Sequence, residues 1–130
     1  MSFLRSLIPA NSIVITGGNN QSQGRTTTIN GVPMAEFAPL QVVVTDSNRN
    51  PVSGVQVTFK CGAAPSGLAC QVNPDGVSPV TVTTDANGVA TLADLYPNFS
   101  ASAYYATGTF NITASASGYD GATFSETVTN

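Results

Sequence analysis

Histidine is absent from this chain, and with it goes the side chain that most often moves protons or binds metal near neutral pH. General acid–base work would fall to carboxylates, to the one lysine, Lys60, or to tyrosines. The seven acidic residues are spread singly along the chain with no closely spaced pair. Serine and cysteine nucleophiles have no evident base beside them. The expectation is therefore that the chain is not an enzyme.

Charge is also scarce. Charged residues make up 8% of the 130, against about 25% in an average soluble domain. The four basic residues, Arg5, Arg25, Arg49 and Lys60, are scattered, whereas nucleic-acid binding needs clustered cations to neutralise phosphates. The same scarcity argues against anionic lipid surfaces. Long apolar runs are missing too. Met1 to Ala10 holds one arginine and a short apolar stretch broken by Pro9, too short for a signal-peptide core or a membrane span. Neither nucleic acid nor membrane insertion is expected, and any targeting signal is expected to lie outside this chain.

Cysteine is limited to two residues, Cys61 and Cys70. Without a histidine or a third thiol they cannot complete a metal site. Two readings follow: a disulfide closing the short loop, or two buried free thiols. The disulfide is preferred and implies an oxidising compartment. Loop-closure entropy for about ten residues would give it roughly 2.7 kcal/mol, before strain is subtracted.

Apolar residues make up 42%, enough for a core, and the length fits one domain. We divide the chain into an N-terminal extension over 1–11 and a domain over 12–130. No helical period is sustained, whereas β-branched and alternating runs recur between turn signals. Strands are expected at Ser12–Thr16, Arg25–Ile29, Leu40–Asp46, Val55–Lys60, Leu68–Val72, Val80–Thr84, Gly88–Ala93, Thr109–Ala114 and Thr123–Thr129. Alternation gives a core of Leu40, Val42, Val44, Val55, Val57, Phe59, Val82, Ala90, Leu92, Phe110 and Ile112. Asp46 to Pro51 reads as a polar connection and Asp85-Ala86-Asn87-Gly88 as a tight turn. Short strands and turns without helices mean a sandwich or barrel.

Four stretches, taken in order, carry a resemblance. They are Phe37 to Asp46 (FAPLQVVVTD), Asn50 to Phe59 (NPVSGVQVTF), Thr83 to Ala90 (TTDANGVA) and Gly108 to Ser115 (GTFNITAS). Together they resemble the bacterial Ig-like domain group 1, the repeat of intimin- and invasin-type surface adhesins, over about residues 12 to 129. The resemblance implies an immunoglobulin-like antiparallel β-sandwich in a secreted or cell-surface protein, with no catalytic residues and no cofactor. Its expected role is a spacer or interaction module whose partners are neighbouring Ig-like domains, a surface receptor or a glycan.

The stretches Gln21 to Glu36 and Tyr96 to Thr107 and the cysteine loop are longer than such a repeat needs, which leaves room for local function. Tyr96, Asn98, Phe99, Ser102, Tyr104 and Tyr105 concentrate aromatic faces beside amides and hydroxyls. They form the candidate ligand-binding loop, for a sugar or a protein partner; the plainer reading is that these rings close one end of the sandwich. This alternative function, a binding module possibly accessory to a secreted enzyme, stands beside the spacer reading. Asp46, Asn48 and Asn50 alternate like the start of a calcium loop. Pro51 and Val57 stand where glycine and glutamate are needed, so no metal is expected. Lys60 with Asn111 and Glu126 or Glu36 is the one set that could form an isopeptide cross-link. Asn20, Asn98 and Asn111 head N-x-S/T triplets, expected by chance in so Asn-, Ser- and Thr-rich a chain.

Overall fold

Alternating residues along each strand send one side inward and the other to solvent, and two sheets meet on their apolar sides. The structure is a computed structural model that describes residues 11–29, 32–35, 37–62, 68–71, 79–92, 96–99 and 107–129. Its strands are β1 (Ser12–Gly17), β2 (Ser22–Ile29), β3 (Val32–Ala35), β4 (Leu40–Thr45), β5 (Gln56–Cys61) and β6 (Leu68–Gln71). They continue with β7 (Val80–Thr83), β8 (Val89–Leu92), β9 (Tyr96–Phe99), β10 (Gly108–Ser115) and β11 (Ala122–Thr129). No helix occurs among the described residues. One sheet runs β1-β4-β8, a second β3-β2-β11-β10-β5-β7, and β6 pairs with β9 alone. This is the expected immunoglobulin-like β-sandwich.

The first sheet contributes Ile13, Leu40, Val42, Val44, Ala90 and Leu92 to the core. The second answers with Val57, Phe59, Phe110, Ile112, Ala114, Phe124 and Val128. Phe37 packs edge-on against Phe110, with ring centroids 5.7 Å apart. Two expected core residues, Val55 and Val82, are only half-buried and pack at its margin. Val55 precedes β5, and β7 is an edge strand paired only with β5.

The outward rows explain the scarcity of charge. Thr109, Asn111, Thr113 and Ser115 of β10 all face solvent. Hydroxyls also meet across strands, Thr58 with Thr81 at 3.2 Å and Thr109 with Thr127 at 2.9 Å.

Two loops share one design. The Oδ1 of Asp46 accepts from the amides of Asn48 and Asn50, and that of Asp85 accepts from those of Asn87 and Val89. The fourth residue of each loop, Arg49 or Gly88, takes a left-handed φ. One oxygen of the Asp46 carboxylate is thus used on its own backbone, which gives the alternation of Asp46, Asn48 and Asn50 a local structural role.

Buried Thr84 joins two connections. Its hydroxyl donates to the Val52 carbonyl at 2.7 Å and accepts from the Val55 amide at 2.9 Å. Thr84→Val keeps the shape and leaves both backbone groups without that partner. It should cost about 1–3 kcal/mol, read as a lowered urea midpoint at unchanged slope.

The sandwich departs from the expected all-antiparallel pairing in one place. After β1 pairs with β4, the chain crosses to the other sheet and β2 joins β11 in parallel, with Ser22 opposite Thr127 and Gly24 opposite Thr129. A strand that continues in its original direction while changing sheets has no other way to meet β11.

Candidate functional site

The cysteine loop and the aromatic insertion, separate in sequence, meet as strands. Leu68 pairs with Phe99, Ala69 with Asn98, Cys70 with Pro97 and Gln71 with Tyr96. The stretch expected to be a loop over 96–105 is therefore strand at Tyr96, Asn98 and Phe99. Pro97 is tolerated because, among the described residues, β9 has a hydrogen-bonded ladder with β6 alone. Ser102, Tyr104 and Tyr105 lie outside the described residues, as do the side chains of β6 and β9. Cys61 ends β5, and Cys70 on β6 is its expected disulfide partner. Intact-mass measurement of the native protein without reductant should read two hydrogens lighter than the free-thiol chain; two alkylatable thiols would refute the pairing.

The isopeptide set does not assemble around Glu126. Lys60 and Asn111 are exposed, whereas Glu126 is fully buried. Lys60 pairs with Thr113 and Asn111 with Ser125, both on the solvent side of a sheet whose inner side carries Glu126. Glu36 lies outside the described residues. An open groove of about 710 Å³ sits on the same solvent side, lined by Gln56, Thr58, Thr81, Ser115 and Ser117 among others. Its lining offers hydroxyls and amides but neither a charge nor an aromatic ring. No cluster of metal-ligating side chains occurs among the described residues.

The residue with the most unusual surroundings is Glu126. It stands between Phe124 and Val128 on the inner face of β11, opposite Phe110 on β10. Its exposure is 0%, and no hydrogen bond of good geometry reaches Oε1 or Oε2, although the Asn20 and Gln21 amides lie near. Above it passes the crossover from β1 to β2. There the Asn20 amide donates to the Ser125 carbonyl, and the Asn19 Oδ1 accepts from the Asn20 and Ser125 amides, each at 2.9 Å. The Gln21 carboxamide is occupied by Gly18 and Ala38. Burial pushes the Glu126 carboxyl up from 4.5 to about 7; the nearby amides of Gln21 and Asn20 draw it back only in part. Sequence reasoning offers Glu126 only as a member of a cross-link. The alternation Phe124, Glu126, Val128 is the signal that it points inward.

No family model matches the chain, and no curated protein matches it. Among solved structures, the chain is similar to a glycosyl hydrolase family 2 member from Bacteroides cellulosilyticus, with a TM-score of 0.53 at 16% identity. The match covers 93% of this chain and 14% of that one. This chain thus spans about one-seventh of that protein's length. At such identity the likeness is one of fold: the sandwich recurs as a small part of a larger protein.

Proposed function

We propose that the chain is a non-catalytic module of the bacterial Ig-like group 1 kind. In this reading it serves as a spacer or interaction domain in a secreted or cell-surface protein. The observation that carries the reading is the placement of its first and last described strands. Ser12 lies beside Asp120, two residues before β11, where the Ile13 amide donates to the Asp120 carbonyl at 2.8 Å. Thr129 ends β11 nine residues further on, about 30 Å away at roughly 3.3 Å per residue. Chain arriving at one pole and leaving at the other suits modules strung end to end. The expected Cys61–Cys70 disulfide agrees with an oxidising location.

The second reading, an accessory domain of a secreted glycosidase that binds carbohydrate through Tyr96–Tyr105, draws on the family 2 likeness. Titration NMR against a panel of neutral and acidic oligosaccharides separates the two. The spacer reading expects no saturable shift. Saturable shifts at Tyr96–Tyr105 that vanish in a Tyr104→Ala/Tyr105→Ala protein would replace it with the binding reading.

A further inference from the structure

Glu126 is fully buried with no charged partner among the described residues, and the Asn20 and Gln21 amides offset only part of its desolvation, so the closed core favours the neutral acid over the carboxylate. The route out for Glu126 is the β1–β2 crossover. That segment is held to β11 by few bonds: Asn20 amide to Ser125 carbonyl, Ser125 amide to Asn19 side chain, and Thr127 amide to Gln21 carbonyl. Two left-handed residues, Gly18 and Asn20, both of types that take this conformation readily, bend it across the gap between the sheets.

We propose that Glu126 is a proton-operated latch, its neutral form allowing the crossover to close over the core and its ionised form driving the crossover off β11. No charged group faces it from the described inner positions. Ile13 of β1, Leu40 of β4, Leu92 of β8, Ala35 of β3 and Phe110 of β10 are all apolar. The described charged residues Asp46, Arg49, Lys60, Asp85 and Asp120 lie in loops or on the solvent side. On β2, Ser22 to Gly24 carry no charge; the side chain of Arg25, like Glu36, is outside the described residues. The latch does not depend on the spacer reading.

The sign follows from linkage. A carboxyl whose folded value lies above its unfolded one stabilises the closed form at low pH, and this is lost as pH rises from about 4.5 to about 7. Opening should therefore become about tenfold more favourable per pH unit inside that window and level off above it.

Amide hydrogen exchange of the whole chain from pH 5 to 8, corrected for intrinsic base catalysis, tests this. Asn20 and Thr127 should exchange faster than core Val44 at every pH, marking an opening smaller than global unfolding. Their opening constant should rise by close to two orders of magnitude over that range. Glu126→Gln should flatten that rise. Equal exchange at Asn20, Thr127 and Val44, a flat wild-type profile, or an undiminished slope in the Gln protein would each overturn the latch. Should the Gln protein not fold, the carboxyl carbon of Glu126 followed by NMR in the wild type decides. Titration near 7 supports the latch, and titration near 4.5 ends it.

Discussion

Phe59→Ala should lower stability by about 3–5 kcal/mol, the range for removing a buried aromatic side chain. Phe59 has 0% exposure, lies on β5 between β10 and β7, and meets Phe124 at a ring-centroid distance of 6.4 Å. It stands on the strand next to the edge strand β7, yet is among the largest fully buried side chains. The strands around it are fixed by their own ladders and cannot collapse into the space left behind. A domain of ordinary stability has about 5–15 kcal/mol in all, so the variant should be near the edge of folding at room temperature. Urea unfolding followed by circular dichroism gives the number. Val82→Ala is the matched control: half-buried on an edge strand, it should cost about 1 kcal/mol. Equal losses at the two positions would mean that the core is not centred where the buried side chains place it.

The second large effect is expected at Gly18, in the crossover. Its φ is +88°, and a Cβ there would lie 2.5 Å from the Pro39 carbonyl oxygen and 2.9 Å from the Leu40 Cα. Both obstacles are backbone at the start of β4, a central strand, so neither can move aside cheaply. Gly18→Ala should therefore cost about 3 kcal/mol, combining left-handed strain with a backbone overlap. Gly54 separates the two contributions. Its φ is +77°, but a methyl group at that position would meet nothing within 4 Å, so Gly54→Ala should show the conformational part alone, about 1 kcal/mol. Chemical denaturation of both variants measures the difference. Similar losses would show that the close approach at Gly18 can relax.

Each of the nine strands expected from alternation and β-branching has a counterpart, with ends shifted by a few residues at most. The two unforeseen strands share one cause. Val32-Pro33-Met34-Ala35 and Tyr96-Pro97-Asn98-Phe99 each contain a proline, which speaks against a central strand but not against an edge. Edge position is a property of the whole sheet and cannot be read from four residues. The parallel contact of β2 with β11 is hidden for the same reason. Val55 reads as inward because it keeps phase with Val57 and Phe59, but the strand begins one residue later and the phase is lost at its end. Glu126 is legible as an inward position from its apolar neighbours at 124 and 128, yet a carboxylate at such a place violates the usual pattern. Rule-breaking of that kind is where functional or strained sites are expected.

The parallel contact also decides how the domain would carry tension. β1 and β2 form one course running alongside β11 in the same direction, joined by the Ser12–Asp120 bridge at one end and the Ser22–Thr127 to Gly24–Thr129 pairs at the other. A pull that draws Ser12 backward and Thr129 forward slides these courses past each other. Hydrogen bonds lying across the strands are then strained together instead of being peeled open one at a time. In such a geometry the crossover at Gly18–Gln21 sits within the stretched path, so its hold on β11 sets the force at which the first slack appears.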